Sequence, residues 1–363
     1  MKHKNFREQF AELLASTQLS SMSTQEDWNE TWKNINQLLR PNIPPRLFRF
    51  RRCTAKNIIS FERGEIMVCV ANTFSDKYDS NIYVNKSQIE SVINMFFDSG
   101  IIKSLYEVKE DESIYPLLEP MFGKEKIEKI KNLNQLTSLE QRQQILDRSY
   151  WKKVIEEMKG LADSQINYIK RDRFTKIACF TENIQAKSMW DLYADGYKGF
   201  ALGYDFRNFH EKGCSNCPKS NCENQLRTYA NLFPIIYSNT RYDATDTVYN
   251  LVVRQLLNSL GVNESLLPPI DQLYWYKAYL YKDKKDYSRE KEWRLICRCP
   301  NRMNDDYSEI SDLNCIKSIY YGSDIDPYYK KHLREIAKAR EVEEYDVSID
   351  ENSLKYKLKI TRL

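Results

Sequence analysis

The sequence predicts an α+β fold, in which a mixed, mostly antiparallel sheet has flanking helices and a largely helical insertion. Strand-like and helical segments follow one another without the regular alternation of a doubly wound parallel sheet. Several segments, such as Leu47–Arg51, alternate apolar and charged residues at the period of a strand. Hydrophobic residues make up 42% and charged residues 29% of the 363 residues, which is typical of a soluble globular protein.

The predicted elements begin with two helices before residue 40. In the second, Trp28 and Trp32 lie at helical spacing behind a Ser23-Thr24 start signal, and Pro41 ends the region. Alternation or β-branched composition predicts the strands, and capping residues mark several helices. Strands are expected at 47–51, 66–70, 175–181, 199–204, 287–297, 315–321, 341–347 and 354–362, with helices at 55–61, 189–193, about 244–282 and after Asp326-Pro327.

These elements predict an N-terminal helical segment at 1–45 and a single α+β domain at 46–363. A mostly helical insertion is expected at about 86–170, where Lys, Glu and Gln are frequent and glycine is rare. A Cys-rich insertion is expected at about 206–232.

Composition excludes several classes of protein. The net charge of +4 is too balanced to support a nucleic-acid partner by itself. The N-terminus lacks the apolar core of a signal peptide, and no stretch is long and apolar enough for a membrane span. Nine cysteines without an export signal favour reduced thiols and a cytoplasmic location.

The segment from Tyr287 to Cys297 carries the most chemical information. Read as a strand, it points Trp293, Leu295 and Cys297 to an apolar core. Glu290, Glu292 and Arg294 then share the opposite face. An anchored strand with two carboxylates and a guanidinium predicts one wall of a polar cleft.

The strand Leu47–Arg51 offers a second charged face. Phe48 and Phe50 share one side, and Arg49 and Arg51 share the other. One interpretation is that these arginines pair with surface carboxylates. The other is that a guanidinium on a packed strand binds a phosphate or a carboxylate, with Arg51 the better candidate.

Six segments follow one another along the chain: Leu47–Arg51, Asn72–Asp79, Ala178–Glu182, Met189–Asp195, Gly196–Asp205 and Glu290–Arg294. In this order they resemble the bacterial family known as domain of unknown function 2971. The Met189-Trp190-Asp191-Leu192-Tyr193-Ala194-Asp195 segment is the most specific, and the similarity extends from about residue 46 to the C-terminus. The family's Asn-Asp-Pro turn is replaced by Ser75-Asp76-Lys77 here.

More distantly, the order Arg51, Thr181, Glu292 is similar to that of ADP-ribosyltransferases of the Arg-Ser-Glu type. That resemblance implies an enzyme that consumes NAD, with Glu292 as the carboxylate near the ribose and Glu290 assisting the acceptor. Thr181 would support the glutamate, and Arg51 would bind the pyrophosphate or the ribose. A cytoplasmic NAD-consuming enzyme would fit a toxin or defence role, and the macromolecular acceptor is unknown.

Two alternatives belong to other classes. The same cleft would serve a non-catalytic module that binds or senses a nucleotide or a peptide. Alternatively, Asp76, Asp79, Glu290 and Glu292 would hold Mg²⁺ for nucleic-acid hydrolysis.

Aromatic residues near these segments have two interpretations. Trp190 and Tyr193 lie at helical spacing, which favours core packing, although either ring would also suit a base or a nicotinamide. Asp195 would orient Arg51 or Arg294, and Tyr287 is a further ligand-binding candidate. The lysines at 282, 284 and 285 are predicted to lie in a solvated loop.

The Cys-rich insertion predicts a structural zinc site. His210, Cys214, Cys217 and Cys222 form a His-x3-Cys-x2-Cys-x4-Cys pattern, and tetrahedral zinc accepts one imidazole and three thiolates. The alternative is three surface cysteines and an unrelated histidine. His210 is the weakest of the four candidates.

Overall fold

A computed structural model describes residues 5–20, 22–91, 172–207, 232–259, 267–298, 305–311 and 314–363, with a few positions between 124 and 169. Most of the predicted insertion at 86–170 and nearly all of the Cys-rich insertion therefore lie outside the described residues. None of the helices in the described part of the chain is long and apolar enough to cross a membrane.

The described residues form an α+β fold, as predicted. Eight helices are labelled in chain order: α1 Phe6–Ser16, α2 Gln25–Leu39, α3 Ala55–Arg63, α4 Lys187–Tyr193, α5 Thr245–Ser259, α6 Tyr274–Lys277, α7 Lys284–Tyr287 and α8 Pro327–Ala339. Twelve strands are labelled likewise: β1 Leu47–Arg51, β2 Glu65–Cys69, β3 Thr175–Thr181, β4 Phe200–Tyr204, β5 Leu232–Pro234, β6 Ile236–Ser238, β7 Tyr281–Asp283, β8 Glu292–Arg298, β9 Tyr307–Ser311, β10 Ile316–Tyr321, β11 Glu343–Ile349 and β12 Leu358–Arg362.

The main sheet contains ten of these strands and is mostly antiparallel. Eight of them follow the order β12-β11-β10-β4-β1-β3-β2-β9, while β8 pairs with both β3 and β5. Strands β10 and β11 run parallel, as do β6 and β7 in a separate two-stranded sheet. The sheet is therefore mixed, as the sequence predicted.

Strand β3 is where the sheet branches. Strand β8 pairs with β3 along its whole length, from Thr175 to Thr181, and so occupies one edge. Strands β1 and β2 consequently share the other edge, with β1 paired at Thr181 and β2 at Ile177. The predicted arginine, threonine and glutamate strands are thus immediate neighbours in the order β1, β3, β8.

The two faces of the sheet near β3 differ in what covers them. On the helix face, Phe180 and Trp293 pack in one core cluster with α3 and α8. On the opposite face, here called the cluster face, Thr181 and Glu292 lie above a second core that includes Ile177 and Ile296. The N-terminal helices contribute Phe10 and Leu39 to that second core.

Both N-terminal helices begin with a capping box. Thr24 and Asp27 form a reciprocal capping box at the start of α2, and Asn5 and Glu8 do the same for α1. Such boxes satisfy backbone N–H groups that have no partner within the helix. The Ser23-Thr24 start signal is confirmed, with Thr24 as the cap.

Two predicted elements differ from the structure. The strand expected from residue 287 begins at Glu292, because Ser288–Glu290 forms a 3₁₀ turn and Lys291 has a left-handed backbone with φ of 47°. The helices expected at about 244–282 are interrupted, since Tyr281–Asp283 is a strand. Strand β7 pairs with β6, so long-range pairing determined its conformation.

Candidate functional site

The register of β3 with β8 builds the centre of the site. Thr181 lies opposite Glu292, and Cys179 lies opposite Arg294. Directly opposite residues point to the same face, so all four side chains lie on the cluster face. The intervening Trp293 is fully buried in the core of the helix face, as its alternation predicts.

Arg294 lies at the centre of a buried ion-pair network. Its Nε donates to Glu292 Oε1 at 2.7 Å, and its Nη1 donates to Asp79 Oδ1 at 2.8 Å. Nη1 also donates to the Tyr279 carbonyl oxygen, and Nη2 donates to Asp79 Oδ2. Arg294 is 1% exposed. Its charge is therefore compensated by two carboxylates inside the protein.

Lys282 extends the network towards solvent. Its Nζ donates to Glu292 Oε2 at 2.8 Å and to Glu290 Oε2 at 3.0 Å. The same atom lies 4.2 Å from the centre of the Tyr287 ring. Asp79, Arg294, Glu292, Lys282 and Glu290 are called the charged cluster below. With three carboxylates and two cations, the cluster carries one excess negative charge.

The two glutamates have different electrostatic environments. Burial by itself would raise the pKa of Glu292, but Arg294 and Lys282 outweigh burial and lower it to about 2. Burial raises the pKa of Glu290, and Lys282 only partly opposes that effect. Both oxygens of Glu292 accept hydrogen bonds from cations, whereas the Glu290 side chain is 21% exposed and its Oε1 has no hydrogen bond among the described residues. Glu290 is therefore the more exposed of the two carboxylates.

Thr181 fixes the turn that carries Glu290. Its hydroxyl donates to the Glu290 carbonyl oxygen and accepts from the Asn183 backbone N–H at 3.0 Å. The hydroxyl is therefore bonded to the backbone of the glutamate rather than to its carboxylate. Thr181 supports Glu290 by holding its main chain.

The N-terminal helix also contacts β8. Arg7 donates to the carbonyl oxygens of Glu292 and Ile235 at 3.0 Å, and to Glu182 Oε1 at 2.7 Å. Its guanidinium lies 5.7 Å from the centre of the Trp293 ring. The N-terminal segment, which the sequence predicts to lie outside the α+β domain, thus contacts the start of β8.

A cavity of about 290 Å³ adjoins the charged cluster. Lys282 belongs to both the cluster and the cavity wall, and Asp76 lies in the turn that also carries Asp79. The volume is near the lower limit for small-molecule sites and suits a nucleoside-sized group. Its lining is rich in tyrosines and acidic side chains, including Asp76, Tyr242, Tyr281, Asp283, Asp286 and Tyr287, with Arg241 as a further cation.

Arg49 and Arg51 lie on the other face of the sheet. Phe48 is opposite Thr181, so Phe48 shares the cluster face, and the alternating arginines point to the helix face. Arg49 lies 5.6 Å from the centre of the Phe180 ring, which belongs to the core of the helix face. The structure does not bring Arg49 or Arg51 into contact with the charged cluster.

The other predicted ligand-binding residues are divided between core and surface. Trp190 is fully buried against Phe50, and its Nε1 donates to the Ile184 carbonyl oxygen at 2.9 Å, so it is a core residue. Tyr193 is 48% exposed, and burial together with the nearby Glu290 raises its pKa. Asp195 lies near Cys53. Burial raises the pKa of the Cys53 thiol, and the negative charge of Asp195 raises it further.

The predicted metal ligands are not described. His210, Cys214, Cys217 and Cys222 all lie in the stretch 208–231, outside the described residues. In the parts of the chain that are described, no group of three or more His, Cys, Asp or Glu side chains is placed to hold a metal ion. The alternative of Mg²⁺ held by Asp76, Asp79, Glu290 and Glu292 therefore gains no support.

Sequence reasoning missed Lys282 as a member of the site. It was predicted to lie in a solvated loop with Lys284 and Lys285, but its side chain is only 8% exposed, whereas the other two are exposed. The reason is the pairing of β7 with β6, which turns Lys282 towards the two glutamates. Arg7 was also missed, and its sequence context gives no signal for its contact with β8.

Comparison with known proteins supports one of the two resemblances. Residues 189–295 match a family described as Protein of unknown function (DUF2971). The matched stretch runs from Met189 in α4 to Leu295 in β8, and so includes Tyr193, Lys282 and both glutamates. No curated protein and no solved structure matches the chain. The similarity to ADP-ribosyltransferases gains no support from these comparisons.

Proposed function

We propose that the cleft beside the charged cluster binds a nucleotide of the NAD type and breaks its nicotinamide–ribose bond. The observation that carries this proposal is the partly exposed carboxylate of Glu290, which belongs to a cluster of net negative charge and shares Lys282 with the wall of a tyrosine-lined cavity. Nicotinamide is cationic while it is attached to the ribose of NAD⁺. A negative site favours both that cation and the positive charge that develops on the ribose as the bond breaks.

In this proposal, each residue of the site has a distinct role. Tyr193 and Tyr287 flank Glu290 and Lys282 and offer aromatic surfaces to the flat nicotinamide ring. The carboxylate of Glu290 stabilises the positive ribose, and Lys282 favours the ionised form of that carboxylate against the effect of burial. Glu292 positions Lys282 and Arg294, and its buried oxygens do not reach the ligand.

The proposed reaction needs one nucleophile besides NAD⁺. The bond between the nicotinamide nitrogen and ribose C1′ breaks, and its electron pair leaves with neutral nicotinamide. Water or an acceptor hydroxyl then bonds to C1′ and loses its proton. Hydrolysis would make the protein an NAD-consuming hydrolase, and an acceptor would make it an ADP-ribosyltransferase.

Binding without chemistry is the second candidate, favoured by the engagement of Glu292 in two ion pairs. In that case the same cavity acts as a nucleotide sensor. The two candidates share a ligand and differ only in whether nicotinamide is released.

The test combines calorimetric titration with NAD⁺ and an assay for free nicotinamide. Wild-type protein is expected to bind NAD⁺ and release nicotinamide, and Glu290→Gln is expected to lower the release rate at least about tenfold through loss of electrostatic stabilisation. Glu335→Gln, a change at an exposed glutamate of α8, is the matched control. Binding without release would leave the sensor candidate, and absence of both would refute the proposal.

The zinc site is a separate proposal that rests on the sequence alone. Metal analysis of the purified protein is expected to give close to one zinc per chain, and Cys217→Ser is expected to lower that ratio. A ratio near zero in the wild type would remove the proposal.

A further inference from the structure

Arg49 and Arg51 are neighbouring cations on one face of β1, and no described carboxylate compensates their charges. Both are partly exposed, and neither forms an ion pair with any described residue. Among the described residues, the Arg51 guanidinium donates one hydrogen bond, to the neighbouring Phe50 carbonyl oxygen at 3.4 Å. By contrast, Arg46, at the start of the same segment, lies 3.5 Å from both Asp205 and Glu343.

The Arg49 guanidinium also has an unsatisfied buried donor. In the part of the chain that the structure describes, its Nη1 is inaccessible to solvent and has no hydrogen-bond partner. Buried polar groups in native proteins nearly always have a partner, and an unpaired charged donor is especially unfavourable. A hydrogen-bond acceptor bound next to Arg49 Nη1 would therefore be favourable.

The two guanidinium groups are close enough to repel each other. They alternate along one strand, with Cα atoms about 7 Å apart. Burial lowers the pKa of Arg51, and the charge of Arg49 lowers it further. An anion between the two side chains would relieve the repulsion and supply acceptors to both.

We propose that Arg49 and Arg51 form a binding site for a phosphate-class oxyanion, on the face of the sheet opposite to the charged cluster. Guanidinium groups match the spacing of phosphate oxygens and bind them through paired, charge-assisted hydrogen bonds. The phosphate would come either from inorganic phosphate or from a nucleotide. Aromatic rings border the arginines, since Phe180 lies beneath Arg49 and packs edge-on against Tyr204 at 5.1 Å.

This site is independent of the proposed NAD chemistry. Phe48 and Thr181 mark one face of the sheet, and the two arginines mark the other. A change at Glu290 is therefore expected to leave phosphate binding intact, so that failure of either proposal can be recognised without the other.

The test is calorimetric titration of the full chain with inorganic phosphate, and separately with AMP, at constant ionic strength set by chloride. Wild-type protein is expected to bind phosphate, and Arg49→Gln and Arg51→Gln are each expected to weaken binding about tenfold or more through loss of a charge-assisted contact. Arg52→Gln, a change at the exposed arginine next in the chain, is expected to bind as the wild type does. Tighter binding of AMP than of phosphate would assign the site to a nucleotide.

Two results would overturn the proposal. One is that titration of the wild type with phosphate or AMP gives no heat of binding. That result does not depend on whether any variant folds. The other is equal weakening by Arg52→Gln and Arg49→Gln, which would indicate general attraction to a positive surface. A loss of phosphate binding in Glu290→Gln would refute the separation of the two sites.

Discussion

Arg294 and Asp79 form a buried ion pair although 215 positions separate them in the chain. Asp79 lies in the same turn as Asp76, and Arg294 lies in β8. Glu292 extends the pair to Lys282 in β7. One network therefore links Lys282 to the turn that carries Asp76, and both Lys282 and Asp76 line the cavity.

Asp79→Asn is expected to destabilise the fold by about 3–5 kcal/mol, because removing one member of a buried pair leaves the other incompletely compensated. Urea unfolding would measure the change. Asp76→Asn is the matched control from the same turn, since Asp76 is in the cavity wall and makes no ion pair among the described residues. Equal effects of the two substitutions would contradict the importance of the pair.

The pH dependence of stability should reflect Glu292. Burial would raise its pKa, but its two cations lower the pKa from 4.5 to about 2. A carboxyl whose pKa is lower in the folded than in the unfolded chain stabilises the fold above the unfolded pKa and loses that effect as the pH falls. The free energy of unfolding is therefore expected to decrease from about pH 4.5 towards pH 2.

Glu290 changes the free energy of unfolding in the opposite direction as the pH falls. Its pKa is raised in the folded state, so the folded state takes up a proton more readily than the unfolded state does. In Glu292→Gln the decrease between pH 4.5 and 2 should be shallower than in the wild type. Urea unfolding at several pH values would measure both slopes. Parallel slopes would show that Glu292 does not carry the effect.

Thr181→Val is expected to destabilise the fold by about 1–2 kcal/mol, because the Glu290 carbonyl oxygen loses its donor. Thr181→Ser keeps a hydroxyl and should retain most of the stability. The turn that carries Glu290 should also exchange its amide hydrogens faster in the valine variant. If valine and serine behave alike, the hydroxyl does not hold the turn.

Trp190→Ala is expected to cost about 3–5 kcal/mol, as for other large side chains removed from a core. Leu192→Ala, two residues later in α4 at a position that is 63% exposed, should change stability by less than about 0.5 kcal/mol. Thermal or urea unfolding would compare the two. A small effect of Trp190→Ala would instead favour a ligand-binding role for the indole ring.

Local pattern was sufficient for much of the fold. Alternation in Leu47–Arg51 and around Trp293 predicted which side chains enter the core, because the strand period assigns faces without knowledge of the partner strand. The capping signal at Thr24 likewise placed the start of α2. Periodicity failed at Glu290, where a 3₁₀ turn and the left-handed Lys291 interrupt the strand.

The sequence by itself determined the α+β class, the anchored Trp293 face and the presence of acidic and basic residues on particular strands. Tertiary structure decided which charges meet. Lys282 meets Glu292 because β7 pairs with β6, and Asp79 meets Arg294 because the turn that carries Asp79 reaches β8. Arg51 is kept from the same cluster because β1 presents it on the other face. Charge pairing depends on distance in space, and local periodicity carries no information about contacts between segments far apart in the chain.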